Sequence, residues 1–241
     1  LQRELRQVLA GALHEFSHVG CSLIGGHSMQ GAEMQVGFAV SGQAMQPERG
    51  LLSKRGACVG DVLILSKPLG TGVLFAAHMQ QLADGRDVSQ SLEMMLQSNI
   101  RAAELALACG ARGCTDITGF GLLGHLLEML GPGQGAALQL ANLPALPGAL
   151  QHLGAARRSS GHAANAASAA GALQADSATG LAQVELLFDP QTSGGLLVAV
   201  SPEMQEQFCG ELHQAGYAAA AIIGEIIAVD HAPSGPRILL V

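Results

Sequence analysis

Four glycine-rich turns, each beside a short apolar segment, do most to constrain what this chain can fold into. They are Gly25-Gly26-His27-Ser28, Lys67-Pro68-Leu69-Gly70-Thr71-Gly72, residues 115–121, and Gln191-Thr192-Ser193-Gly194-Gly195. Glycine tolerates left-handed backbone and lets another segment or a ligand come close, so each turn is either a structural reversal or a place where a ligand meets backbone. Helical and strand-like patterns alternate between the turns, and some of the strands read as antiparallel neighbours. The expected class is α+β, with no internal repeat.

Residues 2–19 place Leu5, Val8, Leu9, Leu13 and Phe16 at helical spacing opposite Gln2, Arg3, Glu4, Arg6 and Gln7, which predicts an amphipathic helix. Residues 21–24 and 34–41 read as short strands, the second followed by a turn at Gly42. After a polar connection with Pro47, Glu48 and Arg49, residues 60–66 read as an apolar strand. Residues 73–82 and 88–109 read as helices, the second carrying Leu92, Met95, Leu96, Ile100 and Ala103 on one face. Residues 131–150 are expected to be loops around a short strand at 136–140, and the alanine-rich stretch 155–177 to be loop and mobile helix. Order resumes at 184–188. A strand at 196–200, a helix at 202–215 and strands at 217–229 and 237–241 complete the pattern.

Only 3% of the 241 residues are aromatic, and there is no Trp, so the core must come from Ala, Leu, Val, Ile and Met, and single-strand nucleic-acid binding by base stacking is disfavoured. The net charge of −7 argues against a sequence-independent grip on nucleic acid or anionic lipid. Any phosphate is therefore expected to be held locally, by a metal ion and backbone N–H groups. Cys21, Cys58, Cys109, Cys114 and Cys209 form no CxxC pair and point to a reduced, cytoplasmic chain. No apolar run reaches membrane-spanning length, because Glu225 interrupts the longest one at 217–229. No signal peptide is evident, and a start at Leu1 reads as internal to a longer protein.

The densest chemistry lies in Cys114-Thr115-Asp116-Ile117-Thr118-Gly119-Phe120-Gly121-Leu122-Leu123-Gly124-His125. Asp116 offers the hard oxygen that Mg²⁺ prefers, among hydroxyls and glycines. The alternative is a helix start, with Asp116 or Thr118 as N-cap and Leu122, Leu123, Leu126, Leu127 and Leu130 as the buried face. None of the four turns is a Walker A or a GxGxxG sequence, and Lys67 precedes its glycines, so it is not a P-loop lysine. His27 and His125 belong to no HxxxH or HExxH helix, which disfavours zinc. His27, beside two glycines, can donate to a phosphate, while His125 reads as a packing or hydrogen-bonding residue. Asp189 and Ser193 read as Asx or ST turn residues before a strand, and no GxSxG elbow supports a serine nucleophile.

Taken together, Gly25-Gly26-His27-Ser28, Gly37-Phe38-Ala39-Val40-Ser41-Gly42, the turns at 67–72 and 115–121 with His125, and Asp189-Pro190-Gln191-Thr192-Ser193-Gly194-Gly195 resemble the selenophosphate synthetases (selenide, water dikinases) in order and spacing. These enzymes sit within the aminoimidazole ribonucleotide synthetase-like superfamily. The resemblance implies two parts. Residues 1–53 would be the C-terminal part of an ATP-binding and dimerisation domain, a remnant of a barrel-forming half-domain, and 54–241 an α+β C-terminal domain. It also implies a homodimer with ATP at the interface, and conversion of ATP, selenide and water to selenophosphate, AMP and phosphate with Mg²⁺. By motif match Asp116 would be a Mg²⁺ ligand, and Gly26, His27 and Ser28 a nucleotide contact supplied to the partner subunit. No nucleic-acid or membrane partner is implied.

The family's reactive Cys or selenocysteine, its Lys and its other metal-binding aspartates would lie before Leu1. None of the five cysteines here takes over the nucleophile role, so no catalytic residue is assigned and the fragment alone is expected to be incomplete. Met29-Gln30-Gly31-Ala32-Glu33-Met34 replaces a Pro-rich continuation, and residues 157–165 look closer to forms fused behind a flavin-type oxidoreductase. The competing expectations are a nucleotide-binding or dimerisation module without chemistry, and a related ATP-dependent small-molecule kinase.

Overall fold

The computed structural model describes residues 2–43, 51–174, 181–229 and 237–241. It divides into two compact units, Leu1–Met45 and Gln46–Val241. In the first, helix α1 spans Gln2–His18, as its apolar spacing predicts. It ends where Gly20 takes a φ of 66°, with the Cys21 amide returning to the Phe16 carbonyl at 2.9 Å. The Phe16 and Phe38 rings meet edge to face, 5.3 Å apart. The strands expected at 21–24 and 34–41 are not formed. Neither segment pairs with another strand among the described residues, and extended backbone without a hydrogen-bonded neighbour makes no sheet. The connection around Pro47, Glu48 and Arg49 lies outside the described residues, as do positions 175–177 of the alanine-rich stretch.

The second unit is built on a seven-stranded mixed sheet. In chain order its elements are β1 Val62–Leu65, α2 Thr71–Met79, α3 Gly85–Leu96, α4 Ile100–Ala108, β2 Gly113–Asp116, α5 Gly121–Met129, β3 Gln134–Leu138, α6 Ala149–Gly154, α7 His162–Ala169, β4 Leu173–Gln174, α8 Ala182–Leu186, β5 Leu196–Val200, α9 Gln205–Gln214, β6 Ala221–Ala228 and β7 Ile238–Leu240. The strand order is β2-β5-β1-β6-β3-β7-β4. β1 lies antiparallel between β5 and β6, whereas β3 and β4 run parallel to β7.

Central β1 is apolar at every position because both its faces are covered. Val62 and Ile64 join a cluster with Ala102 and Leu105 of α4 and Phe208 and Leu212 of α9. Leu63 and Leu65 face the larger core, which takes in Leu74 of α2, Leu122 and Leu126 of α5, Leu153 of α6 and Leu186 of α8. Aliphatic side chains supply nearly all of this core, as the scarcity of aromatics requires.

Two expectations for this unit need correction. The single helix expected at 88–109 is two helices, broken at 97–99. Lys67 Nζ draws off the Gln97 carbonyl, Tyr217 Oη the Ser98 carbonyl at 2.6 Å, and Asn99 Nδ2 binds the Gly194 carbonyl at 2.9 Å. Apolar spacing runs unbroken through the kink, because its cause is tertiary. The stretch 155–177, expected to be loop and mobile helix, contains α7, whose His162, Asn165 and Ala169 are buried.

Candidate functional site

Three of the four glycine-rich turns meet at one end of the sheet. β2 pairs with β5 so that Asp116 stands opposite Leu196, immediately after Gly194 and Gly195. The Ile117 amide donates to the Gly195 carbonyl at 2.9 Å, and the Gln191 amide to the Thr118 carbonyl at 3.0 Å. A Cβ on Gly194 would lie 2.2 Å from the Ile117 carbonyl oxygen, so only glycine permits this approach.

Gln191 ties the 67–72 turn to the same cluster. Its Oε1 accepts from the Gly70 amide at 2.9 Å and from the Thr71 amide and hydroxyl at 3.2 Å each. Its Nε2 donates to the Asp189 carbonyl at 2.7 Å and to Asp189 Oδ2 at 3.0 Å. The Thr192 amide closes the network on Thr71 Oγ1 at 2.9 Å. A buried amide used on both sides in this way holds one orientation, and leaving its partners unpaired is costly.

Two buried charges border the network. Lys67, only 1% exposed, places Nζ against the Gln97 and Ser193 carbonyls, and burial lowers its pKa to about 8. It is a tether between turns, consistent with the sequence's exclusion of a P-loop role. Asp189 is fully buried, and desolvation raises its carboxyl to about 6 against the opposing pull of the Val73 and Gly72 amides, the Gln191 amide and the Arg158 charge. Oδ2 accepts from the Gln191 side chain while the Gln191 amide donates to the Thr118 carbonyl, so the expected Asx turn is not what holds it.

Asp116 occupies the last position of β2 and is exposed. It is not a helix cap, and neither is Thr118. The N-cap of α5 is Phe120, without a side-chain cap, and the reversal into the helix is made by Gly121 at φ 69°, close against the Leu187 carbonyl. Ile117 is fully buried, whereas Asp116 is exposed and Thr118 half-buried. The following loop is clamped from α7, where Asn165 Nδ2 donates to the Gly119 and Phe188 carbonyls at 2.9 Å each. His125 is buried with Nε2 3.1 Å from Thr118 Oγ1, the hydrogen-bonding role its position suggests.

No grouping of three or more His, Cys, Asp or Glu side chains able to hold a metal occurs among the described residues. Asp116 offers one hard oxygen donor on a turn held by backbone hydrogen bonds, and its carboxylate makes no hydrogen bond or ion pair among the described residues. That fits a Mg²⁺ whose other positions are filled by phosphate oxygens and water, the usual arrangement for this ion. It does not fit an all-protein cage. All five cysteines are free. The thiol of Cys114 is pushed up to about 12, first by burial and then by the Asp116 charge, and that of Cys109 to about 11 mainly by burial, so neither is an activated nucleophile.

Gly26, His27 and Ser28 are exposed, outside helix and strand, and belong to the N-terminal unit, whereas Asp116 belongs to the other. Within the second unit the structure joins the turns at 67–72, 115–121 and 191–195. Gln191 and Asn165 carry structural weight that the sequence alone did not assign. The available signal was a polar side chain in an otherwise small or apolar run, Asn165 in an alanine-rich helix being the plainest case.

Residues 59–233 match the family described as AIR synthase related protein, C-terminal domain. The chain is 37% identical to a selenide, water dikinase of Pelobacter propionicus over 92% of its length and 38% identical to that of Carboxydothermus hydrogenoformans over 90%. It spans 64% and 63% of those relatives. Among solved structures, a hydrogenase maturation protein HypE aligns over 78% of this chain and 51% of its own, at TM-score 0.54 and 19% identity. The E. coli HypE aligns over 78% and 48%, at TM-score 0.51 and 19% identity, a likeness of fold.

Proposed function

The chain belongs to the AIR synthase related protein family through its C-terminal domain, and from that premise we propose that it is the larger part of an ATP-dependent selenide, water dikinase. The reaction is ATP, selenide and water to selenophosphate, AMP and phosphate. The observation that carries this reading is Asp116, an unpaired exposed carboxylate at a strand end whose backbone is fixed by the 191–195 turn, in a chain more than a third identical to curated selenide, water dikinases. Asp116 would hold Mg²⁺. The ion supplies charge neutralisation of the phosphates when bound.

This chain's own residues position and orient. Gln191 and Lys67 fix the turns around Asp116, and Asn165 fixes the loop after it. Gly26, His27 and Ser28 would contact the nucleotide across a homodimer, His27 as a donor to phosphate. The protein would work in the cytoplasm, with no nucleic-acid or membrane partner. No helix among the described residues is long and apolar enough to cross a membrane.

The solitary carboxylate favours one second reading, a nucleotide-binding module without chemistry of its own. One assay separates the two: AMP release from ATP by the full-length polypeptide carrying this chain, with and without selenide. The dikinase reading expects selenide-dependent AMP and its loss in Asp116→Ala. ATP binding without AMP release favours the module, and an active Asp116→Ala variant sinks the metal assignment.

A further inference from the structure

A line of polar groups runs from the Asp116 loop to the surface. Thr118 Oγ1 stands 3.1 Å from His125 Nε2. On the other side of the buried ring, Glu128 Oε2 lies 3.3 Å from Nδ1, one helical turn along α5. Glu128 is held in turn by Lys54 Nζ at 2.7 Å. That hydrogen bond is the first cause of a lowered Glu128 pKa, with the Lys54 charge and His125 contributing less. The Phe120 ring packs against His125 at 5.5 Å, limiting how the imidazole can turn. His125 Nδ1 is shielded from solvent and has no partner in full hydrogen-bond geometry, and the Glu128 carboxylate is the charged group that faces it.

An ionised carboxylate only accepts, so the nitrogen facing it carries the proton. A neutral imidazole has one donor and one acceptor, and a proton on Nδ1 leaves Nε2 bare. The Thr118 hydroxyl then spends its hydrogen inward on Nε2, and its oxygen keeps its lone pairs for whatever lies outside. In the opposite tautomer Nε2–H would take a lone pair from Thr118 and free the hydroxyl hydrogen to point outward. The tautomer therefore selects between a surface that accepts cations and one that donates to anions. Asp116 lies two residues before Thr118 in the same loop.

We propose that Glu128 fixes His125 as the Nδ1–H tautomer and so makes the Thr118 hydroxyl a lone-pair donor beside Asp116, giving the loop two cation-facing oxygens. His125 and Glu128 are positioning residues, acting through Thr118 without touching the ion. This deepens the proposed function and rests on its assignment of Mg²⁺ to Asp116. Outer groups that orient ligands typically change metal affinity on the order of tenfold or more when removed.

The test is read on the protein itself, without turnover. Long-range ¹H–¹⁵N correlation of the His125 ring, above the pH at which histidine is neutral, should show Nδ1 protonated and Nε2 bare. Thr118→Val should move the Nε2 resonance. Glu128→Leu, at a surface position of α5, should shift the ring toward Nε2–H. A wild-type Nε2–H ring, or a Glu128→Leu ring that stays Nδ1–H, overturns the proposal. With Mg²⁺ and ATP together as probe, Glu128→Leu and Thr118→Val should each raise the dissociation constant about tenfold, and Thr118→Ser should restore it. Unchanged Mg²⁺ affinity in both variants overturns the cation-facing role. Absence of any Mg²⁺ dependence of ATP binding in the wild type overturns the Asp116 assignment and the cation-facing role with it, while the tautomer spectra still decide what Glu128 does.

Discussion

The glycine turn at 25–28 and the three at 67–72, 115–121 and 191–195 are written in nearly the same residues, yet they end in different physical states. The three are knit together by Gln191, Lys67 and the 117–195 and 118–191 backbone bonds, with atoms so close that a single added carbon would strike a carbonyl. At Gly25 and Gly26 an added Cβ would meet nothing within 4 Å, and the segment is exposed throughout. Glycine-rich grammar therefore marks where a chain is able to turn tightly. Buried polar side chains from distant positions decide whether the turn is held in one geometry, and only a held turn can present a carboxylate such as Asp116 at a fixed place.

The sharpest way to break this contrast is to put a methyl group into each class of turn. Gly194→Ala pushes a Cβ into the Ile117 carbonyl and should cost about 3 kcal/mol of unfolding free energy in urea denaturation. An effect below 1 kcal/mol would mean the cluster yields easily.

Titration probes the same cluster from within. Between 3.8 and about 6 the folded state keeps a proton on Asp189 that the unfolded chain has released. Stability should therefore fall by about 3 kcal/mol as pH rises through that window. The stability difference between the wild type and Asp189→Asn should carry this slope and be level outside it. Parallel curves across the window would show that Asp189 is not desolvated as described.

Asn165→Ala strips the clamp on the loop after Asp116 and leaves the Gly119 and Phe188 carbonyls without their donor, an expected loss of about 2 kcal/mol. Hydrogen exchange should quicken in residues 117–123 ahead of the rest of the sheet. Uniform quickening would make Asn165 an ordinary core residue. At the small end, Gly26→Ala should change stability by less than about 0.5 kcal/mol. A loss as large as that of Gly194→Ala would erase the distinction.

Elements whose pattern is local were legible in the sequence. α1, β1, α5, β5 and α9 follow apolar periodicity and lie within a few residues of their expected positions. The break at 97–99 was hidden because Lys67, Tyr217 and Gly194, which cause it, are remote in the chain. α7 was hidden because its buried side chains are His162 and Asn165, polar residues that read as surface until their partners are known. The segments at 21–24 and 34–41 failed in the opposite direction: strand-like composition without a strand to pair with. For the candidate site, the three turns that meet in the second unit could be read from their glycines, and Asp116 as a hard-oxygen donor whose metal role is a proposal. The hydrogen-bond partners that give the turns fixed positions could not, because pairing across a sheet end leaves no periodic trace.

The measurement closest to the central claim is calorimetric titration of Mg²⁺ with ATP into the wild-type chain and into Asp116→Asn. The held carboxylate should make binding at least on the order of tenfold tighter in the wild type, at unchanged melting temperature. Equal affinity in the two proteins would contradict the claim that the turn cluster exists to present Asp116 to a metal-bound phosphate.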